Sequence, residues 1–302
     1  MTDFAVGSRH GLRYIEELTF GETPAGNMNA LRHTSCGLAV NKDTFQSAEL
    51  RTDRQISDLR HGDIQVGGPI AMELSYAEYD DLLEGALFGD WTNDVLKAGT
   101  TSHSYSFRRR FDDIGVNGVF TGCMVDTFNL SIPANAMVTG SFGIIGKEGT
   151  YADQESEDTV TASETYSPFD SFTGEIKEGG SVIAVVTSLD FTLANALDPA
   201  SVVGANTAPT ITSGSSLLTG TVSAYFQTKA LLDKFINETE SSLELTLESG
   251  NVDYSINIPR LKYTGGDNPA NDQGPIMIGM PFQAMRDETE ETNIVITRNE
   301  TT

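Results

Sequence analysis

Residues 65–87 read QVGGPIAMELSYAEYDDLLEGAL, and a change of period inside this stretch sets the reading of the whole chain. Between Gln65 and Leu74 apolar and polar residues alternate, the pattern of a strand with one buried face. After Leu74 the period lengthens. Tyr79, Leu82, Leu83, Ala86 and Leu87 fall on one face of a helix, and Ser75 and Glu78 stand at capping-box spacing, where each side chain satisfies the other's free backbone N–H. Working outward, alternation recurs at residues 12–20, 105–107, 126–132, 188–193, 243–247, 254–258 and 293–296. Clusters such as Gly179-Gly180 and Gly265-Gly266-Asp267-Asn268-Pro269 supply the turns between them. A second helix is expected over residues 228–237, with Leu231, Leu232, Phe235 and Ile236 at helical spacing. The expectation is a mainly β chain with two short helices.

The surroundings of the two helices match. Thr34-Ser35, then Gly68-x-Ile70-x-Met72-x-Leu74, precede the first; Thr187-Ser188, then Gly220-x-Val222-x-Ala224-x-Phe226, precede the second, at an offset of 152 or 153. Beyond the helices, Tyr105-x-Phe107 lines up with Ile256-x-Ile258, Met124-Val125 with Ile276-Met277, and Phe142-x-Ile144 with Ile294-x-Ile296, offset by 151 or 152. Ordered matches at a nearly constant offset read as one unit written twice, over 1–150 and 151–302. The second unit includes an acidic, Ser/Thr-rich connection at about 148–180, expected to be solvated.

Composition narrows the function. The 302 residues carry 43 acidic against 19 basic side chains, a formal net charge of −24, opposite in sign to what phosphate contacts require. Such a chain does not grip nucleic acid. Hydrophobic residues make up 38%, with no run near the ~18–20 needed to span a bilayer, and the N-terminal residues carry neither a basic nor an apolar leader, so assembly in the cytoplasm is expected. Cys36 and Cys123 stand alone and read as buried thiols. His10, His33, His61 and His103 are scattered, with no metal-binding pair, and no G-x-S-x-G elbow is present. Gly140, Gly143 and Gly146 lack phosphate-loop spacing, and residues 267–272 lack the Gly and Glu of a calcium loop. No catalytic residue, cofactor or metal is expected.

Two charged segments suggest contacts between copies, since like-charged chains associate through their positive patches. One is the run Arg108-Arg109-Arg110. The other mixes Glu49, Arg51, Asp53, Arg54, Asp58 and Arg60 in a stretch too polar to build its own core.

The run SAELRTDRQISDLRHG at 47–62, followed by VGGPIAMEL at 66–74 and YDDLL at 79–83, resembles the major tail tube protein family of siphophages, whose tails are long and non-contractile. FTGC at 120–123, YTGG at 263–266, GPIM at 274–277 and PFQA at 281–284 extend the resemblance over nearly the whole chain. It implies a β-barrel or sandwich unit with a flanking helix, stacked into rings around a hollow passage for genomic DNA. It also implies a tape measure protein inside, other tail proteins at the ends, and a place in the virion tail rather than a membrane. An acidic lumen is implied too, which would repel phosphate and let DNA slide. Residues 47–62 fall on the family's intersubunit loop. A simple family unit has one helix, so a doubled unit would let three chains make a pseudo-sixfold ring, with a six-chain ring as the alternative. A tail terminator or tail-tip ring protein is the neighbouring reading, and a β-rich glycosidase using paired carboxylates the reading from another class.

Overall fold

A computed structural model describes residues 4–153, 159–270 and 273–300. In the first half, the strands are β1 (His10–Glu16), β2 (Met28–Ala30), β3 (Ser35–Cys36), β4 (Ala39–Gln46) and β5 (Leu59–Glu73), then helix α1 (Asp80–Leu87). After it come β6 (Val95–Lys97), β7 (Tyr105–Phe111), β8 (Val116–Pro133), β9 (Thr139–Gly146) and β10 (Glu148–Asp153). The second half holds β11 (Val160–Thr161), β12 (Glu175–Glu178), β13 (Ser181–Val182), β14 (Val186–Ala194), β15 (Asp198–Pro199), β16 (Ile211–Thr212) and β17 (Leu217–Tyr225). Helix α2 (Ala230–Ile236) and strands β18 (Ser241–Ser249), β19 (Val252–Tyr263), β20 (Met277–Ala284) and β21 (Val295–Glu300) complete it. The chain is mainly β, and every alternating segment read from the sequence lies wholly or partly on a strand, with residues 17–20 and 293–294 falling outside β1 and β21.

Pairing follows one scheme twice. In the first half β2 pairs with β1, β1 with β7, β7 with β8, β8 with both β10 and β9, β9 with β5, and β5 with β4. In the second, β13 pairs with β12, β12 with β18, β18 with β19, β19 with both β21 and β20, β20 with β17, and β17 with β14. All these pairs are antiparallel, and each helix follows the corresponding strand, β5 or β17. The constant offset does not survive past the helices, however. Tyr105 lies on β7, whereas its expected match Ile256 lies on β19, which holds the place of β8. Loop lengths differ between the halves, and a fixed offset cannot follow them.

The halves are not separate bodies. Thr127–Pro133 of β8 pairs with Ser188–Ala194 of β14, so one sheet runs β4-β5-β9-β8-β14-β17-β20-β19. A single cluster of buried side chains draws on both halves, with Phe128 stacked on Phe142 at 5.2 Å and edge-on to Phe191 at 5.9 Å. Most described residues of the connection at 148–180 are exposed, but it is anchored at points: Phe169 is fully buried, Pro168 bridges to Ser75, and β10 and β11 extend the first half's sheet. Part of that connection lies outside the described residues.

The capping box is absent. Helix α1 begins only at Asp80, and Tyr79 at its N-cap makes no capping bond. Glu78 instead accepts the backbone N–H groups of Arg32 and Glu164, each at 2.7 Å, while Ser75 accepts Arg32 Nη1 at 3.3 Å. The carboxylate thereby ties two non-local segments together, which a local cap cannot do. Asp80 and Asp81 supply the negative charge that suits a helix N-terminus. α1 is largely buried. α2 has no fully buried residue and leaves Ile236 71% exposed, so its apolar stripe is only half used.

Candidate assembly surfaces

Along the joined sheet, residues directly opposite one another share a face. The core face carries Ile70, Phe142, Phe128, Phe191 and Phe282 and meets α1. On the other face, register places Ser35, Ala71, Ser141, Asn129, Thr192, Thr219, Gln283 and Lys262 in one row across eight strands. The next row reads Glu73, Thr139, Ser131, Asp190, Thr221, Pro281. This face is hydroxyl-rich, with no aromatic side chain in either row. Thr192 donates to Asn129 Oδ1 at 2.6 Å, Asn129 Nδ2 to Ser141 at 3.2 Å, and Ser131 to Asp190. In these two rows the carboxylates are Glu73 and Asp190, and the one cation, Lys262, lies 3.9 Å from Glu240.

Strands β4 and β5 continue past the sheet as an exposed hairpin whose connection spans residues 47–58. Several of its charges find partners within it. Arg51 reaches Asp53 at 2.8 Å, Arg60 reaches Asp58 at 3.1 Å, and Glu49 accepts Ser57 at 3.0 Å. The Arg51 guanidinium holds the Asp53 carboxyl below the usual carboxylate range. Arg54 adopts φ +61°, a left-handed turn position. Leu50 is fully exposed and Ile56 64% exposed, so the arm also presents apolar groups that this chain leaves uncovered.

The arginine run on β7, read from the sequence as a contact between copies, is partly drawn into this chain's own structure. Arg110 is only 3% exposed and pairs with Asp112 at 2.7 Å. Arg109 donates through Nε to His10 Nε2 at 3.0 Å and through Nη1 to the Leu38 carbonyl. Burial lowers the pKa of Arg108. A strand inside a sheet turns alternate residues inward, so three consecutive arginines cannot all face solvent. His10 also sits 2.8 Å from His33, and burial, Arg109 and His33 together lower its pKa to about 4.

Among the described residues no group of His, Cys, Asp and Glu is arranged to hold a metal. Asn271 and Asp272, at the end of the acidic turn, lie outside the described residues. Cys123 is buried and Cys36 half-buried, both free, with thiols raised by desolvation. The surface that sequence reading missed is the outer edge of β3 and β4, which has no strand partner among the described residues. Its only trace in the sequence was the Thr34-Ser35 and Thr187-Ser188 match.

No helix is long and apolar enough to cross a membrane among the described residues. No curated protein matches the chain. The family model described as phage tail tube protein matches residues 7–284. With that match over most of its length and a mainly β fold, the chain belongs to the phage tail tube protein family, as a structural component of the virion tail whose copies stack into a tube.

Proposed function

We propose that three copies close into a ring in which each half of the chain takes one of six equivalent places, and that stacked rings form the tube of a long, non-contractile tail. The observation that carries this reading is the repeated pairing scheme, with the two halves already joined side by side in one sheet. A doubled unit needs half as many chains to close the same ring. The polar face opposite the helices lines the passage for genomic DNA and for the tape measure protein, and other tail proteins meet the ends. Glu73 and Asp190 give that lining its negative charge, while Thr, Ser and Asn make up most of it. Phosphate is repelled by the carboxylates and finds few free donors, because Thr192, Asn129 and Ser131 already donate within the wall. Assembly takes place in the host cytoplasm.

Cryo-electron microscopy of the purified, assembled protein tests this. Hollow tubes with three chains per ring are expected. Six chains per ring would overturn the symmetry, and discrete rings that never stack would point to a terminator or tail-tip role.

A further inference from the structure

In the joined sheet β8 and β14 close a joint between the halves, while β6 and β21 pair elsewhere, and two edges of that sheet match the two sides of the β8–β14 joint. In the closed joint, Ser188–Ala194 of β14 pairs with Thr127–Pro133 of β8 on one side and with β17 on the other. The strand in the place of β14 in the first half is β3 with β4. Register makes the match residue by residue. Leu189 lies opposite Val222 and Cys36 opposite Ile70, and Val222 and Ile70 hold the same place before their helices. Cys36, Leu38 and Val40 therefore correspond to Leu189, Phe191 and Leu193. Yet among the described residues β3 and β4 pair only with β5, and their other side has no strand partner.

The strand in the place of β8 is β19. Beyond Tyr263 the chain keeps running beside β20: Thr264 N–H donates to Pro281 O at 2.8 Å, and Asp267 and Gly279 exchange N–H···O bonds of 3.0 and 2.8 Å. On its opposite side β18 ends with Ser241 against Leu261, and residues 264–270 have no strand partner there among the described residues. Gly279 lies opposite Ser223 as Ser141 lies opposite Ala71, which sets Asp267 in the place of Asn129.

We propose that residues 35–41 of one chain pair antiparallel with residues 264–270 of a second copy, repeating between chains the joint that β14 and β8 make within one. In the internal joint Thr192 lies opposite Asn129; between chains Ala39 lies opposite Asp267. In the lone chain Arg109 Nη1 occupies the Leu38 carbonyl on this edge, a cationic side chain shielding an unpaired strand from the wrong partner. The inference deepens the ring reading and rests on it.

Disulfide trapping tests it in a Cys36→Ser background. After assembly and oxidation, the double variant Ala39→Cys/Asp267→Cys should give covalent dimers and trimers on a denaturing gel, with the series ending at three chains. A pair displaced along the strand, Asn41→Cys/Asp267→Cys, should give at least about tenfold less, since cross-linking needs Cβ atoms about 4 Å apart. Equal yields from both pairs, or none from either in assembled tubes, would overturn the joint. Should the cysteine variants not assemble, hydrogen exchange on the unmutated protein decides: amides at 38–40 and 264–268 should exchange at least about tenfold more slowly in tubes than in the lone chain. Unchanged exchange in tubes would overturn the joint while leaving the tube intact; failure of the unmutated protein to form tubes would instead sink the ring reading.

Discussion

Asp80 opens helix α1 in the first half and is held by residues of the second. It accepts the Tyr254 hydroxyl and the Arg298 guanidinium; Arg298 also reaches Asp94 at 2.8 Å and lies 4.6 Å from the centre of the Trp91 ring. Burial raises the Asp80 pKa, with the bonds from Tyr254 and the charge of Arg298 opposing it. Asp80→Ala leaves the buried Tyr254 hydroxyl without its acceptor and Arg298 with Asp94 alone, and should cost about 2 kcal/mol in urea unfolding. His10 has the opposite linkage. Its pKa falls from 6.5 to about 4 on folding, so the unfolded chain binds the extra proton in between. Stability from this group is present above pH 6.5 and lost as pH falls toward 4, by on the order of 1 kcal/mol after allowance for its partial exposure. His10→Gln should flatten that part of the stability profile, measured by denaturant unfolding at a series of pH values.

At the scale of elements, strand β5 shows how one segment serves two purposes. Its second half is built into the core through Val66, Ile70 and Met72, and there Gly68, at φ +146°, brings β5 so close to β3 that a Cβ would fall 2.2 Å from the Gly37 carbonyl oxygen. Its first half belongs to the exposed arm. Gly68→Ala should therefore cost more than about 2 kcal/mol of stability, seen in thermal unfolding. Reversing the charge of Arg51, Arg54 and Arg60 together should leave thermal unfolding nearly unchanged, because exposed ion pairs contribute little to a fold. The same variant should assemble few tubes by negative-stain microscopy. Normal tubes would mean that the arm's charges do not meet a neighbour.

At the scale of the molecule, the joint between β8 and β14, the shared core and the Asp80 cluster make the halves interdependent. Residues 1–150 or 151–302 produced alone should lack a cooperative unfolding transition by circular dichroism, and Phe128→Ala should destabilise the whole chain by about 3–5 kcal/mol in one step. The sequence by itself determined the β character, the place of both helices, the charge and the family blocks, because side-chain period and composition are local properties. Tertiary structure alone decided which strands are neighbours, that Ser75 and Glu78 tie remote segments instead of capping α1, that Arg110 faces inward, and which strand edge stays open. The reason is physical. Backbone hydrogen bonds are the same for every residue, so alternation gives a strand two faces without naming its partner, and the partner is chosen by non-local packing of the core.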